Sequence, residues 1–143
     1  VWVPHVALEI RDSSNRVIST LEPDERSQLN MDPDFLEKVK WGMRLVCQSR
    51  EGTAWEAWHK FPVDVGGKTG TAEVKQGLEE LDDYSLFIGY APANEEVLPE
   101  IVVAAIVEQG GHGSSVAAPI VRRVLEAYYD LPKYWFYFKE FSE

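Results

Sequence analysis

The run VDVGGKTGTAE at residues 63–73 constrains the fold most, because an alternating apolar entry leads directly into a segment with three glycines. A β-strand accepts several glycines where another group must approach its backbone closely. We therefore predict a strand whose glycines leave room for a ligand backbone. Lys68 offers a positive charge to an anion, and Thr69 and Thr71, on either side of Gly70, place two hydroxyls on one face. That face suits a carboxylate.

The triplet Gly67-Lys68-Thr69 also occurs at the end of phosphate-binding P-loops. That motif requires another glycine five positions before Gly67, where this chain has Pro62. It also requires a helix to follow, whereas residues 71–74 continue as strand-like sequence. The sequence therefore argues against a nucleotide site.

The surroundings of the Lys-Thr-Gly triplet carry a family resemblance. GTA precedes it at residues 52–54, and FIGYAP, GGHG and AAP follow at residues 87–92, 110–113 and 117–119. This succession resembles the C-terminal part of the transpeptidase domain of class B penicillin-binding proteins. Their superfamily, shared with serine β-lactamases, carries the motifs S-x-x-K, S-D-N and K-T-G. The resemblance covers residues 30–131, so we expect residues 1–131 to be the C-terminal portion of such a domain and residues 132–143 an aromatic tail.

The expected fold class is α/β of the α+β type, an antiparallel meander with packed helices. Three strands follow one another without an intervening helix, the motif strand and those at Tyr84–Ala91 and Ile101–Val107. The last is nearly all apolar, which predicts burial on both faces. The polar run Lys75–Asp83 is predicted to be a loop.

The remaining elements follow from local signals. Val6–Ile18 has the alternation and turn residues of a hairpin. Asp32-Pro33 starts an amphipathic helix that ends at Gln48, and its apolar face is expected in the core. Ser115 is the expected N-cap of a last helix, which should pack on the sheet, and Leu131-Pro132 ends it.

Several residues have both a structural and a functional interpretation, and we favour the structural one for each. Trp55 and Trp58 are expected to pack rather than stack a ligand, and Cys47 to be a small buried hydrophobe. His112 is expected in an exposed loop, and the histidines have no metal-ligand spacing, so neither a metal nor a cofactor is expected. The aromatic run at residues 134–138 is expected to dock on the protein body.

Composition limits the partners. The formal net charge is −10, from 24 acidic and 14 basic residues, which argues against nucleic acid and anionic membrane surfaces. The acidic clusters are expected to be solvated loops. The sequence contains no apolar run long enough to cross a bilayer, so no membrane contact is expected from this segment. The resemblance implies an extracytoplasmic location at the bacterial cell membrane, with an anchor upstream of Val1.

The resemblance also implies a mechanism, peptidoglycan cross-linking by serine acyl transfer. Lys68 would supply positive charge, Thr69 and Thr71 would bind a substrate carboxylate beside Gly70, and the Thr71 backbone N–H would be one oxyanion-hole donor. The implied partners are the peptidoglycan stem peptide, β-lactam antibiotics and the N-terminal remainder of the domain.

The nucleophile is missing from the sequence. No serine before Ser142 has a lysine three positions later, and the only Ser-x-Asn, at residues 13–15, lies in an expected turn. The serine, its lysine partner and the second motif are therefore expected on a preceding segment, and this chain alone is expected to be inactive. An isolated part of this kind would expose an apolar face, so we expect a companion segment or self-association.

Three alternatives stay open. A β-lactamase or D,D-carboxypeptidase shares the Lys-Thr-Gly strand but hydrolyses its acyl-enzyme, although the GTA and GYAP contexts favour the transpeptidase. A non-catalytic module that senses β-lactams or muropeptides would share every visible feature. A purely structural domain would keep its ligand binding after Lys68→Ala.

Overall fold

A long antiparallel strand pair organises the second and larger of two structural units. In the computed structural model, residues 3–76, 79–94 and 96–132 are described; those up to Phe35 form the first unit and those from Leu36 onward form the second. The elements are β1 (Glu9–Arg11), β2 (Val17–Thr20), α1 (Pro33–Gln48), α2 (Trp55–Trp58), β3 (Gly66–Gln76), β4 (Glu79–Ala91), β5 (Ile101–Val107) and α3 (Ala117–Tyr128).

The first unit contains the predicted hairpin. Strands β1 and β2 pair antiparallel, with an irregularity between Ile10 and Arg11. The turn forms because the Asp12 carboxylate accepts hydrogen bonds from the backbone N–H groups of Ser14, at 2.8 Å, and Arg16, at 3.0 Å. The hairpin prediction is confirmed, although both strands are shorter than the sequence pattern suggested, and Ser-Ser-Asn occupies the turn.

Helix α1 begins where the sequence predicted, because the Asp32 carboxylate accepts a hydrogen bond from the Asp34 backbone N–H at 2.9 Å. The expectation that its apolar face lies in the core is wrong. Phe35 is 60% exposed and Val39 54% exposed, and Cys47 is the helix residue that is fully buried. Burial is confined to the C-terminal end of the helix, so amphipathic periodicity identified the helix without identifying what covers it.

Strand β4 lies between β3 and β5, and both pairings are antiparallel. The predicted meander is therefore confirmed. The predicted loop at Lys75–Asp83 is wrong, since β3 continues to Gln76 and β4 starts at Glu79, with Gln76 opposite Glu79. Polar and acidic residues here extend a hairpin, where cross-strand hydrogen bonds outweigh low strand propensity.

One face of the sheet forms the core with the helices. Phe87 of β4 stacks against Trp58 of α2, with ring centroids 5.8 Å apart, and both are buried with Val121 and Leu125 of α3. The predictions that Trp58 packs and that the last helix covers the sheet are confirmed.

The opposite face of the sheet is exposed along much of β5. Strand β5 alternates between half-buried and exposed residues, and Val102 and Ile106 are 64% and 67% exposed. Ile88 of β4 lies between them on the same face. The expectation that β5 is buried on both faces is therefore wrong, because α3 covers only the other face.

Helix α3 begins at Ala117, and its cap differs from the prediction. The Ser115 hydroxyl donates to the His112 carbonyl at 3.1 Å instead of capping the helix. The Ala117 N–H donates to the hydroxyl of Ser85, a fully buried residue of β4, at 3.1 Å. Ser85, 32 positions before Ala117, thus accepts the hydrogen bond at the start of the helix that was expected to go to Ser115. The helix ends before Leu131-Pro132 as predicted, and the aromatic run at 134–138 lies outside the described residues.

A buried ion pair lies within α3, and its arginine also reaches α2. Arg122 and Glu126 are 5% and 1% exposed, and their side chains lie 2.8 Å apart. Arg122 also donates to the backbone carbonyl of Ala57 and lies over the ring of Phe61. Arg123 adds a second ion pair to Glu126 at 2.7 Å. Removing one partner of such a pair leaves a buried charge uncompensated.

This ion pair should make stability depend on pH. Burial alone would raise the pKa of Glu126, but hydrogen bonds from Arg122 and Arg123 outweigh it and hold the pKa below its ordinary value. The stabilisation is therefore present above the unfolded-state pKa and is lost as pH falls through the lower folded-state pKa. We expect Glu126→Gln to lower the unfolding free energy by about 3 kcal/mol at neutral pH, and this difference should shrink in acid.

Urea unfolding at a series of pH values measures this difference. Glu108→Gln, at an exposed carboxylate, is the matched control and should change stability by less than about 0.5 kcal/mol. A difference between wild type and Glu126→Gln that stays constant from neutral to acid pH would contradict the role of the ion pair.

Candidate active site

The four residues predicted for the site lie together in the first half of β3. Thr69 pairs with Phe87 and Thr71 with Ser85, so their hydroxyls share the face that also carries α3. Lys68 and Gly70 lie on the other face of the strand. Within the described part of the chain β3 pairs with β4 alone, so its second edge offers backbone groups to an incoming strand.

Thr69 is held by a residue from outside the sheet. Its Oγ1 lies 3.0 Å from Oγ1 of Thr53, which belongs to the Gly-Thr-Ala segment between α1 and α2. Gly52 packs so closely on α1 that a Cβ there would lie 2.3 Å from the Leu45 carbonyl oxygen. The sequence identified both motifs, but it gave no indication that their threonines meet.

Lys68 places its charge at the surface beside this strand. Its side chain is exposed, and Nζ donates a hydrogen bond to the backbone carbonyl oxygen of Thr69 at 2.5 Å. The ammonium group is thus held close to the threonine that carries a candidate carboxylate-binding hydroxyl. The positive charge of Lys68, in a chain with a net charge of −10, lies where an anionic group could reach it.

The glycine-rich loop after β5 packs against the middle of β3. A Cβ on Gly113 would lie 2.2 Å from the Leu86 carbonyl oxygen and 2.6 Å from that of Gly70. The loop is fixed by Ser85, whose hydroxyl donates to the His112 carbonyl at 3.0 Å. The His112 side chain is exposed, as expected for a loop histidine. The loop itself supports the backbone of the strand through Gly113.

The glycines that precede Lys68 serve packing. A Cβ on Gly66 would lie 2.6 Å from the Tyr90 ring, and a Cβ on Gly67 would lie 2.4 Å from Phe87 Cζ. We predicted that these glycines leave room for a ligand backbone, but the groups that approach Gly66 and Gly67 are aromatic rings of β4. At Gly70, Leu86 Cβ would lie 3.1 Å away, on the face that Gly70 shares with Lys68.

Other candidate groups stay apart from this strand. Burial raises the pKa of the Cys47 thiol to about 12, so it is a neutral hydrophobic group as predicted. His59 is half-buried and stacks on Trp55 with centroids 4.0 Å apart. In the described segments no three His, Cys, Asp or Glu side chains converge on a metal position, and no helix is long and apolar enough to span a bilayer.

An open groove of about 390 Å³ lies against α1 and contains none of the β3 residues. The Arg44–Asp64 ion pair forms part of its wall. The groove and the strand that carries the polar side chains therefore lie in different places. We take the strand as the candidate site because it carries the lysine charge and the two threonine hydroxyls.

Comparison with known proteins shows the family. The family model of the penicillin-binding protein transpeptidase domain matches residues 1–126. The chain belongs to this family.

Relatives and solved structures agree with that assignment. Peptidoglycan D,D-transpeptidase MrdA of Haemophilus influenzae is 35% identical over 126 residues, which cover 77% of this chain and 19% of that protein. Penicillin-binding protein PBP2 of Pseudomonas aeruginosa, in complex with WCK 5153, has a TM-score of 0.67 and 36% identity over 90% of this chain and 26% of its own. A ceftriaxone acyl-enzyme of penicillin-binding protein A from M. tuberculosis has a TM-score of 0.67 and 28% identity, covering 87% of this chain and 27% of its own. The chain spans about a fifth of the length of the curated relatives.

The packing role of Gly67 is testable by substitution. Gly67→Ala places a methyl group against Phe87 and within 2.9 Å of the Ile88 carbonyl oxygen. We expect a loss of about 1–3 kcal/mol in unfolding free energy, because the two strands must separate or Phe87 must move. Chemical denaturation measures the change.

Gly42→Ala is the matched control in α1. A Cβ there meets no atom within 4 Å, and alanine favours a helix, so we expect a gain of roughly 0.5–1 kcal/mol. Gly67→Ala as stable as wild type would show that the glycine is kept for something other than packing.

Proposed function

We propose that this chain forms the substrate-binding wall of a peptidoglycan D,D-transpeptidase, which cross-links the cell wall by serine acyl transfer. One observation carries the proposal: β3, whose second edge is unpaired among the described residues, carries Lys68 and the hydroxyls of Thr69 and Thr71 within four residues. Membership of the transpeptidase family and the acyl-enzyme formed by a structural relative support it.

The substrate peptide adds to the edge of β3 as a further strand. Edge addition supplies main-chain hydrogen bonds, and alternate side chains then supply specificity. The terminal carboxylate of the peptide accepts hydrogen bonds from Thr69 and Thr71, and the Lys68 ammonium compensates its charge. The backbone N–H of Thr71 donates to the oxyanion, where the loss of one donor typically costs about 3 kcal/mol of transition-state stabilisation.

The chemistry proceeds in two acyl transfers. A serine hydroxyl attacks the carbonyl between the two D-alanines of a stem peptide, and the terminal D-alanine leaves as the ester forms. The amine of a second stem peptide then attacks this ester, which forms the cross-link and frees the serine. A β-lactam imitates the first substrate and leaves a stable acyl-enzyme.

The nucleophile belongs to another segment in this proposal. No Ser-x-x-Lys occurs in residues 1–143, so the serine, its lysine and the second motif come from the remainder of the domain. The exposed sheet face at Ile88, Val102 and Ile106 is the surface that this remainder covers. The chain alone is then inactive, and the assembled enzyme acts at the extracytoplasmic face of the bacterial membrane.

A lysine substitution tests the role of the strand. In a polypeptide that joins this chain to its serine-bearing segment, Lys68→Ala should slow acylation by fluorescent penicillin at least about tenfold, because a charge-assisted contact to the carboxylate is lost. Lys60→Ala, at another exposed lysine, should acylate like wild type. The measurement is the second-order rate constant of labelling.

Two results would contradict the proposal. Equal labelling of Lys68→Ala and wild type would remove the strand from substrate binding. If the enzyme only removes the terminal D-alanine from the stem peptide and forms no cross-linked product, it is a carboxypeptidase and not a transpeptidase.

A further inference from the structure

We infer that Thr53 is a positioning residue that orients the hydroxyl of Thr69 toward the substrate carboxylate. The inference deepens the proposed function and rests on it. Its starting point is the 3.0 Å contact between the two Oγ1 atoms, which joins the Gly-Thr-Ala segment to the Lys-Thr-Gly strand across 16 residues of sequence.

The Thr53 hydroxyl is held by a rigid backbone. The Ala54 N–H donates to the Val46 carbonyl at 3.0 Å, and the Trp55 N–H donates to the Gly52 carbonyl at 3.1 Å. A Cβ at Gly52 would overlap the carbonyls of both Leu45 and Val46. The segment is thus fixed to α1 on both sides of Thr53.

A second anchor lies just beyond it. Helix α2 starts at Trp55, and the carbonyl of its Ala57 accepts a hydrogen bond from the buried Arg122 of α3. Thr53 therefore approaches β3 from a backbone fixed by two helices, and its position does not depend on the strand that it contacts.

Proton counting gives the direction of the contact. A threonine hydroxyl has one proton to donate and two lone pairs. In the bound state the Thr69 hydroxyl donates its proton to the carboxylate, so it can meet Thr53 only as an acceptor, and Thr53 donates. This fixes one rotamer and one proton position for Thr69. The two consecutive hydrogen bonds, from Thr53 to Thr69 and from Thr69 to the carboxylate, strengthen each other.

If Thr53 acts through Thr69, loss of its hydroxyl should slow acylation by a ligand that carries a carboxylate and should not affect a ligand that lacks one. Losing the Thr53 hydroxyl weakens the bond between Thr69 and the carboxylate, but it leaves the serine, the oxyanion hole and the fold in place. A purely structural residue would instead affect every acylating ligand alike.

The test compares penicillin G with its methyl ester in the polypeptide that joins this chain to its serine-bearing segment. We expect Thr53→Val and Thr53→Ala to acylate about fivefold more slowly with penicillin G and unchanged with the ester, since one hydrogen bond is worth about 1 kcal/mol. Thr53→Ser keeps the hydroxyl and should recover wild-type selectivity to within about twofold. Thr20→Val, at an exposed threonine of β2, is the matched control.

The outcomes separate the two levels of the proposal. Equal slowing with both ligands, or no slowing with either, overturns the positioning role while the proposed function stands. Failure of wild type to be acylated by either ligand overturns the proposed function and this inference together.

Discussion

The pairing of β3 with β4 is the constraint on which the rest of the larger unit depends. Its register places Gly67 beneath the ring of Phe87, which stacks on Trp58 and belongs to the same buried cluster as Val121 and Leu125 of α3. The same register sets Thr69 and Thr71 on one face, and among the described residues the other edge of β3 is unpaired. A shift of one residue would move both hydroxyls to the opposite face, so the core packing also fixes the chemistry of the edge.

Long-range polar contacts hold the surroundings of that edge. Ser85 joins β4 to the glycine-rich loop and to the first turn of α3. These two hydrogen bonds hold Gly113 against the backbone of Gly70. Arg122, paired with Glu126 inside α3, donates a hydrogen bond to Ala57 in the helix that follows the Thr53 segment. The candidate site is thus a surface strand that is held in place by buried groups. A substitution of one of these buried groups should alter the strand even where the substituted residue does not contact it.

Sequence patterns predicted the local elements and the chemical type of the site. The cap at Asp32, the strand at residues 101–107 and the motif strand all follow from signals within a few residues of one another. Burial was predicted less well, since the exposure of Phe35 and Val102 depends on what covers them rather than on their own character. The contacts of Ser85 and Thr53 were not predicted because each joins segments 16 or more residues apart.

We propose that this chain supplies the carboxylate-binding strand of an acyl-transfer site and that another segment supplies the serine. Intact mass spectrometry before and after incubation with penicillin shows which segment carries the reactive serine. The 143-residue chain alone should keep its mass, and in a sample with the serine-bearing segment that segment should gain one penicillin adduct. An adduct on a serine within residues 1–143 would show instead that this chain carries the nucleophile.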